Sequence, residues 1–270
     1  MPLTRDHAED AIRVLDSLRE RRPLVHCMTN IVVAGFTANV LLAVGASPAM
    51  VENSEESAEF AAIADALLVN LGTLSPDKVL AMGAAVAAAE RAGTPWVLDP
   101  VAVGALAFRT TFATELLGCR PTVIRGNPSE ILSLAGASGS GGRGVDSTVD
   151  SPAALQTAVR FAAEQRTTVA VSGPVDYITD GGTVLPLRTG HEMMTRVTGV
   201  GCALGALIAA CTAVEDSPLV AAAAGTTILT VAAEVAIASA AGPGSFATGL
   251  LDALFTLDAA TIRAHVAAAS

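Results

Sequence analysis

Short apolar runs recur along this chain, separated by Ala-rich stretches of helical length. The runs that read as strands are Leu24–Met28, Pro48–Val51, Ala66–Asn70, Trp96–Asp99, Thr122–Arg125, Thr168–Ser172, Asp176–Thr179 and Thr183–Leu187. Between and around them, helices are predicted at 31–44, 54–64, 75–92, 109–118, 128–136, 151–166, 201–214 and 217–241. Strands alternating with helices read as repeated βαβ units, and such units build a mostly parallel sheet. Helices that are apolar on most of their faces suit a sheet covered on both sides. The close spacing of the last two strands breaks the alternation and predicts an antiparallel hairpin at one edge. Ile12, Leu15 and Leu18 at helical spacing predict an amphipathic helix over 8–22 at the start. The expectation is therefore an α/β chain forming a single domain over 1–270.

Composition narrows the function. Hydrophobic residues make up 51%, charged residues 16% and aromatics 3% of the 270 residues, with a net charge of −10. A disordered chain needs the opposite balance. A nucleic-acid partner is not expected either, because the chain is acidic and has few rings on which bases can stack. The four cysteines, Cys27, Cys119, Cys202 and Cys211, form no C-x-x-C pair. That points away from a disulfide framework or zinc ribbon and towards a reducing, cytoplasmic setting. Met1 to Arg22 is charged throughout and does not read as a signal peptide. Leu219–Ala241 is long enough to span a bilayer, but its alanines, threonines and Glu234 favour a buried core helix over a membrane span.

Among motifs, no G-x-x-x-x-G-K-[ST] occurs. A G-x-G-x-x-G match at Gly139–Gly144 sits in the Gly/Ser-rich stretch 135–143, which reads as a mobile surface loop, and lacks the strand-to-helix setting of a dinucleotide site. His7, His26, His191 and His265 are scattered without metal-ligand spacing. The informative segment is Arg196-Val-Thr-Gly-Val-Gly-Cys-Ala-Leu-Gly205. Glycines before a helix let the backbone approach a ligand, and the free N–H groups with the helix dipole attract an anion. An ordinary Gly-rich helix start fits the spacing equally well. Cys202 falls in the first turn of this helix, either as a small core residue or as a thiol with a lowered pKa facing a reacting group.

Three strand ends add weight to the anion reading. Asp99 closes Trp-Val-Leu, Arg125 closes Thr-Val-Ile ahead of Asn127 and Glu130, and Ser172 closes Val-Ala-Val. Open α/β sheets bind ligands beyond the carboxyl ends of their strands. Together these residues favour a nucleotide site, with Arg125 pairing phosphate oxygens. Asp99 and Glu130 are suited to hold Mg²⁺ directly or through water.

Pro23-Leu-Val-His-Cys-Met-Thr-Asn30, Phe36-Thr-Ala-Asn39, Gly45-Ala-Ser-Pro-Ala-Met50, Leu98-Asp-Pro-Val101, Ile124-Arg-Gly-Asn-Pro-Ser-Glu130 and Val197-Thr-Gly-Val-Gly-Cys202 resemble the hydroxyethylthiazole kinase family of the thiamine pathway. The resemblance runs from about Pro23 to Phe255, in order. It implies a ribokinase-like three-layer sandwich that uses ATP and Mg²⁺ to phosphorylate 4-methyl-5-(2-hydroxyethyl)thiazole. It implies that Met50, Gly199 and Asn30 contact the thiazole alcohol, that Arg125 and Ser172 bind ATP, and that Asp99 and Glu130 serve the metal. By the same resemblance, Gly199 to Cys202 forms the anion hole, with Cys202 at the catalytic position where many ribokinase-like enzymes carry aspartate. A cytoplasmic homotrimer with sites between subunits is implied as well. A ribokinase-like kinase for another vitamin alcohol, or a non-catalytic nucleotide sensor, stays open on the residues alone.

Overall fold

The computed structural model describes residues 7–136 and 151–269. Its centre is an eight-stranded sheet in the order β2-β1-β3-β4-β5-β6-β7-β8. The strands are β1 (Leu24–Met28), β2 (Ser47–Ala49), β3 (Ala66–Asn70), β4 (Trp96–Asp99), β5 (Val123–Gly126), β6 (Thr168–Val171), β7 (Asp176–Thr179) and β8 (Val184–Leu187). From β2 to β6 every neighbouring pair is parallel. β7 and β8 are the expected antiparallel hairpin.

Alternation along the strands builds two apolar layers. Val25, Cys27, Leu68, Val97 and Val123 point to one face. Met28, Leu67, Val69, Leu98 and Ile124 point to the other. Both faces are covered, which is why the central strands read as unbroken apolar runs. Burying a leucine such as Leu67 or Leu68 fully is worth about 1.5–3 kcal/mol.

The first layer is covered by α1 (His7–Arg21), α2 (Ala34–Ala43), α8 (Val200–Thr212), α9 (Pro218–Ile237), α10 (Pro243–Thr256) and α11 (Ala259–Ala269). The second is covered by α3 (Ser57–Ile63), α4 (Pro76–Ala92), α5 (Ala107–Leu117), α6 (Pro128–Leu134) and α7 (Ser151–Gln165). α9 is long and apolar enough to cross a membrane, yet Leu219 to Ala233 is continuously buried inside the fold, as the core-helix expectation has it.

Local chemistry sets the boundaries. Ser75 and Ser217 cap α4 and α9, each followed by proline in the first turn. The helix predicted over 31–44 divides into a 3₁₀ turn at Ile31–Val33 and α2, because the Asn30 side chain caps the short turn and Val33 leaves helical geometry. The helix predicted from 54 starts at Ser57, since Asn53 Oδ1 accepts from the amides of Glu55 and Glu56 and holds that stretch in a turn. The edge strand lies at Ser47–Ala49 rather than Pro48–Val51, in register with Leu24–His26. The carbonyl of Val51 turns instead to the His26 ring, 2.7 Å from Nε2. The G-x-G-x-x-G match and most of the Gly/Ser stretch lie outside the described residues.

Candidate functional site

Six parallel strands point their carboxyl ends the same way, and the residues singled out in the sequence follow one another along that edge. In sheet order, Met50 follows β2, Asn30 follows β1, Asn70 closes β3, Asp99 closes β4, Arg125 lies in β5 and Ser172 follows β6. At about 4.8 Å per strand, the row spans roughly 24 Å. α8 runs up to its middle. A Cβ on Gly205 would lie 3.2 Å from a Leu68 methyl and 3.3 Å from Asp99 Oδ2, so a side chain there would push these neighbours back by a few tenths of an ångström, and glycine lets the helix settle close to β3 and β4.

The centre of the row is one polar cluster. Asp99 is fully buried, and its Oδ2 accepts from Asn70 Nδ2 at 2.5 Å. Its Oδ1 has no hydrogen-bond partner and stands 3.8 Å from Arg125 Nη1. Arg125 also donates through Nη2 to Ser172 Oγ at 2.8 Å, so its guanidinium bridges β4 and β6. Burial pushes the Asp99 carboxyl up to about 7, with Glu130 adding to the rise and Arg125 and Asn70 opposing it. Cys202 lies against the same group. Burial, reinforced by the Asp99 charge, pushes its thiol up to about 11, although Asn70 and Arg125 favour the thiolate. The lowered pKa that the helix start offers Cys202 in the sequence is not what the structure gives, because desolvation raises it instead.

Glu130 already has structural work. Its Oε2 accepts from the Asn127 amide at 2.9 Å while Asn127 Oδ1 accepts from the Glu130 amide at 3.0 Å, which is a capping box on α6. Its Oε1 accepts from the Ala102 amide at 2.8 Å. Ala102 has φ +60, so the carboxylate holds the loop after Asp99 in a left-handed turn that a non-glycine residue rarely adopts. Burial raises the Glu130 pKa, against those two amides and the nearby Arg125 and Arg109.

At the other end, Asn30 and Gly199 are linked through Val33. Gly199 is the N-cap of α8 at φ +94, and a Cβ there would lie 2.5 Å from Val33 Cγ1. Both its conformation and its contact demand glycine. A Cβ on Gly72 would lie 2.6 Å from Asn30 Nδ2, and the Gly72 amide donates to Asn70 Oδ1 at 2.9 Å. Met50 is half-buried and packs against the same apolar layer as Met193, Met194 and Val197, which lie on the segment leading into Gly199.

Sequence reasoning missed three participants. Asn70 closes β3 just as Asp99 closes β4, and the same strand-end rule finds it. Arg109 donates to the carbonyls of Gly72 and Val101, both at 3.1 Å, tying two strand-end loops together. Asp176, at the start of the antiparallel β7, accepts from the Gly173 amide at 2.9 Å and shapes the turn after Ser172. Neither of the last two carries a local sequence signal.

Among the described residues no group of three or more His, Cys, Asp or Glu side chains is placed to hold a metal. Mg²⁺ does not require one, since it commonly takes one or two carboxylates and completes its shell with phosphate and water. The free buried Oδ1 of Asp99 fits that role. Glu130, with both oxygens already accepting from amides, fits better through a bridging water.

This row of strand ends under a glycine-capped helix has close counterparts. The protein from Kineococcus radiotolerans called hydroxyethylthiazole kinase is 57% identical over 250 residues, covering 93% of this chain and 90% of its own. A solved structure of hydroxyethylthiazole kinase from Pyrococcus horikoshii OT3 superposes with a TM-score of 0.87 at 41% identity, covering 94% of this chain and 96% of that one. A ribokinase-like superfamily protein from Enterococcus faecalis, 12% identical, shares the fold with a TM-score of 0.64 over 94% of this chain and 90% of its own. The hydroxyethylthiazole kinase family model matches residues 15–260, which takes in every strand and every residue of the site, and the chain belongs to that family.

Proposed function

We propose that the protein transfers the γ-phosphoryl group of ATP to the primary alcohol of 4-methyl-5-(2-hydroxyethyl)thiazole, giving the phosphate ester and ADP. The observation that carries this reading is the order of residues along the strand ends. The residues assigned to the alcohol, Met50 and Asn30, follow β2 and β1. Those assigned to ATP, Arg125 and Ser172, belong to β5 and β6. The start of α8 stands between them, over β3 and β4. Two substrates seated at opposite ends of the row meet at the Gly199–Cys202 turn. Its free amides and helix dipole face the charge that develops on the transferred group.

Each residue has a part in this scheme. Arg125 pairs phosphate oxygens, and Ser172 holds the guanidinium in the required plane. Asp99 offers its free oxygen to Mg²⁺, with Glu130 acting through water. When bound, Mg²⁺ would supply neutralisation of the phosphate charge. Gly199 admits the alcohol close to the backbone. Cys202 is a neutral thiol at the base position, so rate enhancement rests on positioning and charge stabilisation rather than on a strong base.

The assembly is proposed to be a cytoplasmic homotrimer whose sites lie between subunits. Support comes from Ile31 and Val32, two exposed apolar side chains adjoining Asn30, which an adjacent subunit would cover. The deciding experiment is ADP release in the presence of Mg²⁺ and ATP with the thiazole alcohol, a hydroxymethylpyrimidine and pyridoxal in parallel. Turnover with the thiazole alcohol far above the other two is expected. Turnover with only another alcohol, or ATP binding without turnover, overturns the reading.

A further inference from the structure

Lys78 is the single lysine of the chain, and it is not on the open surface. It sits in the first turn of α4, on the opposite face of the sheet from α8. Its Nζ lies 3.0 Å from Glu52 Oε1 and donates to the Thr29 carbonyl at 3.1 Å. Glu52 Oε1 in turn accepts from the Thr29 amide at 3.2 Å. One carboxylate and one ammonium thus hold both backbone groups of Thr29. The two side chains are only 16% and 23% exposed, so the pair is far less screened than an open surface ion pair.

The position of this clamp gives it meaning. Thr29 immediately precedes Asn30, and Glu52 lies two residues after Met50. β1 and β2 are neighbours in the sheet, but their hydrogen-bonded register ends at His26 and Ala49. Beyond that point the His26 ring holds the Val51 carbonyl, and Glu52 with Lys78 adds a second tie between the two loops at Thr29. We infer that Lys78 is a positioning residue for the alcohol subsite: its ion pair with Glu52 sets the spacing between the loops that carry Asn30 and Met50. This inference rests on the proposed assignment of those two residues to the alcohol. Lys78 touches neither substrate and acts through Thr29 and Glu52. The nucleotide end, at β5 and β6, is three strands away from β1 and outside its reach.

The test is steady-state kinetics with each substrate varied in turn. Lys78→Met keeps the aliphatic stem and removes the charge. It should raise the KM for the alcohol about tenfold and leave the KM for ATP within about twofold, since a loop displaced by a fraction of an ångström weakens one subsite only. Lys78→Arg should recover most of the loss. Glu52→Gln, which breaks the pair from its other side, should give the same split, and it decides the matter if Lys78→Met does not fold. Lys78→Glu combined with Glu52→Lys should recover more than either single reversal, because the pair and not either charge is at issue. Equal rises in both KM values, or a fall in kcat with both KM values unchanged, overturns the inference. Asn30→Ala and Met50→Ala run alongside. If they leave the alcohol KM unchanged, the assigned subsite itself is wrong. If they raise it while the Lys78 and Glu52 variants do not, only the clamp is wrong.

Discussion

The amide of Asn70 binds the buried carboxylate of Asp99 at 2.5 Å and, through its other atom, accepts from Gly72, whose lack of a side chain makes room for Asn30. One uncharged side chain thus connects the alcohol end of the strand row with its centre. Asn70→Ala would leave both the Gly72 amide and Asp99 Oδ2 without this partner, and each such loss costs about 1–3 kcal/mol in a buried setting. Free to turn, Asp99 would no longer present its oxygen in one direction. We expect kcat to fall about 10- to 100-fold, more than either KM changes. A variant with wild-type kcat would reduce Asn70 to a packing residue.

Arg125 is held from three sides, by Asp99, by Ser172 and by the backbone of Gly201. A Cβ on Gly201 would lie 2.8 Å from Nη1 and 3.1 Å from Nη2. Gly201→Ala should therefore displace the guanidinium while keeping the backbone amides of the Gly199–Cys202 turn. The expected outcome is an ATP KM raised about tenfold with a smaller change for the alcohol, and Arg125→Lys should not restore it because a point charge cannot reproduce the planar fork. Unchanged ATP kinetics in Gly201→Ala would show that the guanidinium moves aside freely.

The parts of this site that were legible in the sequence are those that close an apolar run. Asp99, Arg125 and Ser172 stand out because a polar residue ends a buried strand, and the strands themselves are legible because both faces are covered. Gly199 and Gly201 stand out as glycines ahead of a helix. The edge strand β2 is displaced in the sequence reading because it is short, contains Pro48 and is only half-buried, so no alternation marks it. What stays hidden is pairing across distance. Nothing local links Lys78 to Glu52, Arg109 to the carbonyls of Gly72 and Val101, or Asp176 to the turn after Ser172. Glu130 shows the opposite case. Its spacing from Asn127 is a capping-box signature in plain view, and its acidity draws attention to a metal instead.

That double employment of Glu130 is testable without any metal. Glutamine in its place has one acceptor oxygen and one NH₂, so one of the two amides now bound, Asn127 or Ala102, must lose its acceptor. Glu130→Gln should destabilise the protein by about 1–3 kcal/mol in denaturant unfolding with no Mg²⁺ present. If stability is unchanged and only the Mg²⁺ dependence of turnover shifts, the carboxylate serves the metal and its capping contacts are incidental.

Asp176 makes a prediction in pH. Burial pushes its carboxyl up to about 6, against the Gly173 amide and the Arg125 charge. A carboxyl whose pKa is higher in the folded than in the unfolded state favours folding most when protonated, at low pH, and this contribution is lost as pH rises through about 6. Asp176→Asn keeps an acceptor for Gly173 and removes the buried charge. Relative to wild type it should gain up to about 3 kcal/mol at pH 7, and the gain should vanish near pH 4. Thermal unfolding of both proteins across pH 4–7.5 reads this difference. A constant offset across the range would mean that Asp176 ionises as readily folded as unfolded.

Cys202 decides how the reaction manages its proton. With the thiol pushed up to about 11 by burial and the Asp99 charge, the thiolate fraction at neutral pH is on the order of 10⁻³–10⁻⁴. A base so rarely in its active form contributes little, whereas loss of a working general base costs about 10²–10⁴ in rate. Cys202→Ala keeps every backbone amide of the Gly199–Cys202 turn, so its kcat should fall by less than about tenfold. Cys202→Asp places a carboxylate at the same point, within range of Arg125, and should match or exceed wild type. The deciding measurement is kcat for the three proteins across pH 6–9. Wild type should show no rise that is absent from the Ala variant, because the thiol does not ionise in that range. An Ala variant that binds ATP and folds but does not turn over would show the thiol to be essential. An inactive Asp variant would remove position 202 from the proton's path altogether.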